Sequence, residues 1–383
     1  MERGSGVYAA RAGRAYAAMQ NGWRRGDGLY RRDGRLRMRG AAAHLWPFAR
    51  AIVATLDLAG IEHGLVEGFD AEAAIADRLQ ALERYHDPGG DGPPAYSSDV
   101  LGTRFGGDRY YDDNAWVGLA LVELERLRPG AGDLARAEEL FGFAAGGWDR
   151  RLDAPSPGGV FWVEQGRGVG ARNHDRNTVS NAPNAELGLH LAELRGVTVD
   201  GVEEMYEWVL ATLDASRDGD SPGSGLFWDK LRGDHTLDDT LWSYNQGSML
   251  GANVLLARRG EGGPGAGRAG AAGGPRYLAR AEAIARKALR HFGGGGFDRQ
   301  PAAFNAIFFR NLLLLHAATD DDSLRTEIIA AMRGYADRAW DERRGDDDRF
   351  HFSGHAPTLL DQSAMVQLLA LLAWDPAWYR LLA

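Results

Sequence analysis

Six segments that are apolar almost all round alternate with six that are apolar on one face only, which leaves few possible architectures. The first set covers about 42–58, 113–128, 178–195, 241–258, 303–317 and 361–373, and the second about 5–21, 70–85, 132–146, 200–215, 276–291 and 322–339. Both carry helical periodicity, and strand-like alternation is nearly absent. A helix that is apolar all round must be buried, whereas one with a single apolar face lies at a surface. Strict alternation therefore predicts an all-α fold: a six-hairpin α/α barrel (toroid) with an inner and an outer ring of helices. With 383 residues, 44% of them hydrophobic, the chain can fill one large core. No boundary interrupts the repeat, so residues 1–383 are expected to form a single domain.

The links between segments are unequal. Those leading into an apolar segment are mostly long and rich in Gly, Pro and aromatics, as in "HDPGGDGPPAYSSDVLGTRFGGDRYY" and "SRDGDSPGSGLFWDKLRGDHTLDD". Hairpin repetition places these long links at one end of the barrel, and long loops on a rigid scaffold are where function concentrates. One link breaks the pattern. The Gly/Ala-rich insert 260–274, "GEGGPGAGRAGAAGG", falls on the opposite face and is expected to be weakly ordered.

Composition narrows the partners. A net charge of −9 argues against nucleic acid, which calls for a basic face. The absence of cysteine excludes disulfides and thiolate chemistry. No apolar run approaches the roughly 20 residues of a membrane span, and the first twenty residues lack a signal-peptide core. No membrane partner and a cytoplasmic location are the resulting expectations. The ten histidines show no metal-ligand spacing, and no phosphate loop is present, so no metal or cofactor is expected.

At the start of the second apolar segment, "RYYDDNAWVGLALVELERL" sets Asp112 and Asp113 side by side. One explanation is helix capping, since acids favour a helix N-terminus. The other is glycoside hydrolysis, where one carboxyl protonates the leaving oxygen and the other acts as nucleophile or base. Adjacent carboxyls lie on the order of 5–8 Å apart, which spans retaining and inverting geometries. Their mutual repulsion would separate their pKa values. Asp238 and Asp239, just before "TLWSYNQG", form a second candidate pair.

Aromatic residues gather in the long links and at the apolar-segment starts: Tyr110, Tyr111, Trp116, Trp162, Trp228, Trp242 and Tyr244. Sugar rings stack on such side chains, although the same residues could plug the end of a barrel. Ser180, Asn181, Asn184, Asn245 and Gln246 bring polar groups to that end, where they either bond backbone or face a polar cavity. Asp112, Ser180, Asn245 and Asn305 are expected to open onto one shared cavity. Arg310, within "FNAIFFRNLLLL", would be a buried charge in need of a carboxylate or a ligand.

Taken in order, "YYDDNAWVGLALVEL", "GGVFWVEQ", "NTVSNAPNAELGLHLAEL", "LWSYNQGSMLGANVLL" and "FNAIFFRNLLLL" resemble glycoside hydrolase family 76, the endo-α-1,6-mannanases and related proteins. The resemblance implies a six-hairpin α/α barrel and hydrolysis of α-1,6-linked mannan or mannosides with retention, without a metal. It implies Asp112 as nucleophile and Asp113 as general acid/base. It also implies sugar binding by Tyr110, Tyr111, Trp116, Ser180, Asn181, Tyr244, Asn245 and Gln246, to which the residue chemistry adds Trp242 and Arg310. Two other functions fit the sequence. A sugar epimerase or isomerase on a similar barrel would use histidines such as His174, His235 or His355. A carbohydrate-binding protein with a vestigial site would bind glycan without turnover. Shortening the 260–274 insert to a few residues should leave activity unchanged. Loss of glycan turnover in the shortened variant would place the insert against substrate.

Overall fold

The computed structural model describes all residues except 1, 34–40, 63, 91, 104–106, 152, 154, 155, 219–222, 261–273 and 353. Most of the 260–274 insert therefore lies outside the described residues. Among the described residues twelve α-helices alternate as the periodicity predicts, every end within three residues of the expected one. The inner ring consists of α2 (Leu45–Ala59), α4 (Tyr111–Leu127), α6 (Thr178–Arg195), α8 (Ser243–Gly260), α10 (Ala302–His316) and α12 (Leu359–Ala373). The outer ring consists of α1 (Glu2–Trp23), α3 (Ala71–Leu82), α5 (Leu134–Gly146), α7 (Val202–Leu213), α9 (Gly274–Phe292) and α11 (Asp322–Glu342). Each inner helix packs on the next, and α12 packs on both α2 and α1, which closes the barrel. Close approach within the ring uses glycine: a Cβ on Gly247 would lie 2.8 Å from the Cα of Phe308.

Among the described residues strand is confined to two-residue pieces in the long links. β1 (His86–Asp87) pairs antiparallel with β2 (Ala95–Tyr96). β3 (Arg176–Asn177), β4 (Lys230–Leu231) and β5 (Leu237–Asp238) form a second antiparallel sheet in the order β3-β4-β5. Among the described residues, no helix is long and apolar enough to cross a membrane.

One device holds the long links onto the barrel. The fourth residue of five inner helices is a fully buried amide: Asn114, Asn181, Gln246, Asn305 and Gln362. Asn114 accepts from the Tyr96 N–H at 2.7 Å and donates to its carbonyl at 3.0 Å. Asn181 grips both backbone groups of Val160, and Gln246 both of Phe227. Asn305 donates to the Phe297 carbonyl, and Gln362 accepts from the Phe350 N–H. Buried loop backbone must find partners, and a side-chain amide supplies a donor and an acceptor together. In α2 the fourth residue is Phe48, packed instead between the rings of Tyr30 and Tyr85.

This pattern corrects the sequence reading of several polar residues. Ser180, Asn181 and Gln246 hold backbone and do not line a sugar site. The Ser180 hydroxyl donates to the Val160 carbonyl at 2.8 Å, and Asn184 donates to the Tyr111 carbonyl at 3.2 Å. Asn305 is likewise buried, accepting from the Ser243 hydroxyl at 3.0 Å. The shared cavity expected of Ser180, Asn245 and Asn305 is therefore not formed, since all three are fully buried.

Arg310 is corrected as well. It lies deep in the barrel, donating to Asp57 of α2 and, at 2.8 Å, to Glu123 of α4. Glu123 follows Asp113 by ten residues, so this cluster lies about 15 Å down the barrel from the acid pair. Arg310 neutralises buried carboxylates and does not reach the site face.

Replacing Gln246 with Ala would leave both backbone groups of Phe227 buried and unpaired. We expect a loss of about 2–4 kcal/mol in urea unfolding. A change below about 0.5 kcal/mol would show that the link is held by other contacts.

Candidate active site

Asp112 and Asp113 occupy the first turn of α4, with Tyr110 as the residue before the helix. The segment 160–164 runs alongside. Tyr110 bridges to Val163, and the Trp162 carbonyl accepts from the Tyr111 N–H at 3.1 Å. This places the Trp162 indole beside Asp112, where its N–H donates to Oδ2 at 3.2 Å. The ring of Trp162 packs against that of Tyr110 with centroids 4.9 Å apart. Asp112 Oδ1 is buried and has no hydrogen-bond partner among the described residues.

Both carboxyls titrate above the usual carboxylate range, for different balances of cause. Burial pushes Asp112 up to about 7. The Trp162 donor and the backbone N–H groups of Asp112 and Asp113 oppose this, while the charge of Asp229 adds to it. Burial raises Asp113 well above the ordinary value, reinforced by the charge of Asp112. One carboxyl of the pair thus has donors that favour its anion, whereas only burial and a like charge act on its neighbour.

Asp229 was not singled out from sequence. It lies just before β4, its carbonyl accepting from Thr178 N at 2.9 Å and its carboxylate 3.4 Å from Asn245 Nδ2. Burial raises its pKa. The sequence "LFWDK" offers no periodicity or spacing that separates this acid from a surface one. Of the rival pair, Asp238 is bound by Arg232 at 2.7 Å and by the Thr240 hydroxyl, and Asp239 is exposed.

An aromatic wall stands at the starts of α2, α8 and α10. Tyr244 stacks on Phe304 with centroids 3.8 Å apart and planes 5° from parallel. Trp242 and Trp46 meet the same ring edge-on and tilted, at 5.4 and 6.0 Å. Tyr244 connects the wall to the acids: burial, then the charges of Asp229 and Asp112, raise its hydroxyl pKa. Trp46 and Phe304 were missed, although both obey the rule that aromatics mark the inner-helix starts.

Of the remaining expectations, Tyr110 and Trp242 are half-buried at the site face. Asn245 acts on the site through Asp229. Tyr111 turns away to stack on Phe143 of α5, centroids 4.5 Å apart. Trp116 is buried beneath the pair, with the Arg50 guanidinium 5.8 Å from its ring. These two are packing residues. None of His174, His235 and His355 hydrogen-bonds either acid among the described residues, so the epimerase reading has no histidine at this pair. Among the described residues no group of three His, Cys, Asp or Glu side chains is arranged to hold a metal ion. A groove of about 1700 Å³ lies at the other end of the barrel, among Ile61, Phe69, Trp374 and Tyr379, and contains none of these acids.

Residues 91–373 match the family model described as glycosyl hydrolase family 76. No curated protein sequence matches the chain. Solved structures do. The chain is similar to a family 76 α-mannanase of Bacteroides thetaiotaomicron at 16% identity and a TM-score of 0.75, covering 96% of this chain and 95% of that one. It is similar to a family 76 mannosidase of the same organism at 22% identity and 0.73, covering 96% and 98%. It is also similar to an α-1,6-mannanase of Salegentibacter sp. at 19% identity and 0.67, covering 96% and 99%. That last structure is of an inactive variant, with two adjacent aspartates replaced by asparagine, in complex with α-1,6-mannotriose.

The raised pKa values predict a stability effect. A carboxyl whose folded pKa exceeds its unfolded value stabilises the fold at low pH, and that contribution is lost as pH rises through the folded pKa. Asp113→Asn removes one of these ionisations. It should raise Tm by roughly 2–4 °C at pH 8 and change it little at pH 4. An equal shift at both pH values would show that ionisation is not the cause.

Proposed function

Because this chain belongs to glycosyl hydrolase family 76, we propose that it hydrolyses α-1,6-linked mannan or shorter α-mannosides with retention of configuration. The observation that carries the reading is the unequal acid pair. Asp112 is held by an indole donor and helix N–H groups, whereas among the described residues Asp113 is held by no such donor and is raised by burial and the Asp112 charge. Asp112 is then the nucleophile and Asp113 the general acid/base. The Salegentibacter enzyme supports a site built on adjacent acids, because its inactive variant lacks two adjacent aspartates and binds an α-1,6-mannotriose. The aromatic wall of Tyr244, Phe304, Trp242 and Trp46 supplies flat apolar faces for sugar rings.

The chemistry proceeds in two displacements. Asp112 bonds to the anomeric carbon as the glycosidic C–O bond breaks, and the departing oxygen takes the proton of Asp113. A water then gives a proton to the Asp113 carboxylate and bonds to the anomeric carbon, releasing Asp112 with its electron pair. Activity requires Asp112 ionised and Asp113 protonated. The pH profile should therefore be a bell rising near pH 7 and falling at higher pH, with limbs that belong to the pair.

Asp113→Asn separates the two steps. On an aryl α-mannoside with a good leaving group, a glycosyl-enzyme should form and persist. Azide, which needs no base, should restore turnover and give the α-mannosyl azide. Asp112→Asn should form no intermediate on any substrate. A β-azide, or rescue confined to Asp112→Asn, would reverse the roles or make the mechanism inverting.

A further inference from the structure

We propose that His44 is a substrate-binding residue that makes the site favour a mannan chain over a single mannoside: its ring accepts a hydroxyl of the mannosyl unit next to the one cleaved. This rests on the hydrolase reading above for the identity of the sugar, and it adds a contact that lies outside the acid pair.

The first observation is place. His44 is the residue immediately before α2, the inner helix that packs against α4. α2 is buried along almost its whole length, yet the His44 side chain is 51% exposed. The outer ring covers the flanks of an inner helix, so exposure at its start opens onto the barrel end that holds the acids. Trp46, two residues on, belongs to the aromatic wall. On the other side, the Leu45 N–H donates to the Ser98 carbonyl and the Ser98 N–H to the Asp108 carbonyl, both at 2.9 Å, in the chain that enters α4. His44 therefore stands between the wall and the acid pair.

The second observation is orientation. His44 occupies the N-cap position of α2 but makes no side-chain capping bond. Its Nδ1 lies instead 3.3 Å from Oδ1 of Asp99, a carboxylate only 4% exposed that is also bound by the Arg32 guanidinium. Burying that ion pair has a desolvation cost that an ordinary surface pair does not carry. What it secures is a fixed direction for an exposed ring, as supporting carboxylates do for histidines in binding sites. The third observation is protonation. Burial and the Arg32 charge push the His44 pKa down, with the Ser98 backbone opposing. A neutral ring carries one proton. The Asp99 carboxylate draws it to Nδ1, which leaves Nε2 as an acceptor for a hydroxyl.

The consequence follows the spacing. Packed helices lie about 8–10 Å apart, which exceeds the width of one pyranose ring. A unit reacting at the α4 acids therefore leaves His44 to the next unit of the chain. A single mannoside has no such unit, so this contact acts on chain length and not on bond cleavage.

His44→Asn keeps an N–H at the Nδ1 position, and with it the contact to Asp99, but removes Nε2. kcat/KM for α-1,6-mannotriose should fall about 5–10-fold, the worth of one neutral hydrogen bond. kcat/KM for an aryl α-mannoside should change by less than about 2-fold. His44→Gln, whose amide reaches the Nε2 position, should recover most of the loss. Calorimetry in an Asp112→Asn background, where nothing is turned over, should show the same loss of mannotriose affinity on adding His44→Asn. An equal loss on both substrates, an unchanged mannotriose value, or His44→Gln as poor as His44→Asn would overturn the proposal. A wild-type protein that binds mannotriose but cleaves no α-mannoside would overturn the hydrolase reading alone. The calorimetric loss would then still support the His44 contact, and its absence would overturn that contact too. A protein that binds no mannotriose overturns both.

Discussion

The amide at the fourth position of five inner helices is the interaction on which the site depends. The long links carry Trp162, Asp229 and the 160–164 segment, and each must be both irregular and partly buried. Backbone buried without partners would cost about 1–3 kcal/mol per group. Asn181 meets that need at Val160 and Gln246 at Phe227, two residues before Trp162 and Asp229 respectively. The helical scaffold therefore fixes functional loops by side-chain hydrogen bonds from its own interior, and the loops need no large sheet of their own.

The same scaffold pairs one charged cluster deep in its interior and leaves three carboxyls without an arginine partner at the face. Arg310 joins Asp57 and Glu123 in the depth of the barrel, where a lone charge would be untenable. At the site face, Asp112, Asp113 and Asp229 have no arginine partner among the described residues. Burial and mutual repulsion push their pKa values upward. Stability is given up locally at these three carboxyls, since burial disfavours their charged form. Asp238 shows the contrast: the same residue type bound by Arg232 and Thr240 titrates low and is suited only to structure.

The helical order, the two rings and the position of the acid pair were legible because they rest on periodicity and adjacency, which are local properties. A buried helix is apolar on every face wherever it lies, and two neighbouring aspartates share a helix start in any tertiary context. The roles of Ser180, Asn181, Gln246 and Arg310 were misread because a polar residue on a buried helix satisfies two accounts equally, a ligand or a distant backbone group. Nothing in the local sequence names the partner, which for Asn181 lies 21 residues away and for Arg310 lies 253 residues away at Asp57.

Local pattern alone sets the repeat, the inner and outer faces of each helix and the adjacency of Asp112 and Asp113. Closure of the ring brings Trp162 to Asp112, sets the charge of Asp229 against the pair and turns Tyr111 outward to Phe143. The difference lies in the range of the forces. Helix periodicity is set by burial within a few residues. A carboxyl pKa, by contrast, is set by whichever donors and charges ring closure brings within a few ångströms, and those come from links far apart in the chain.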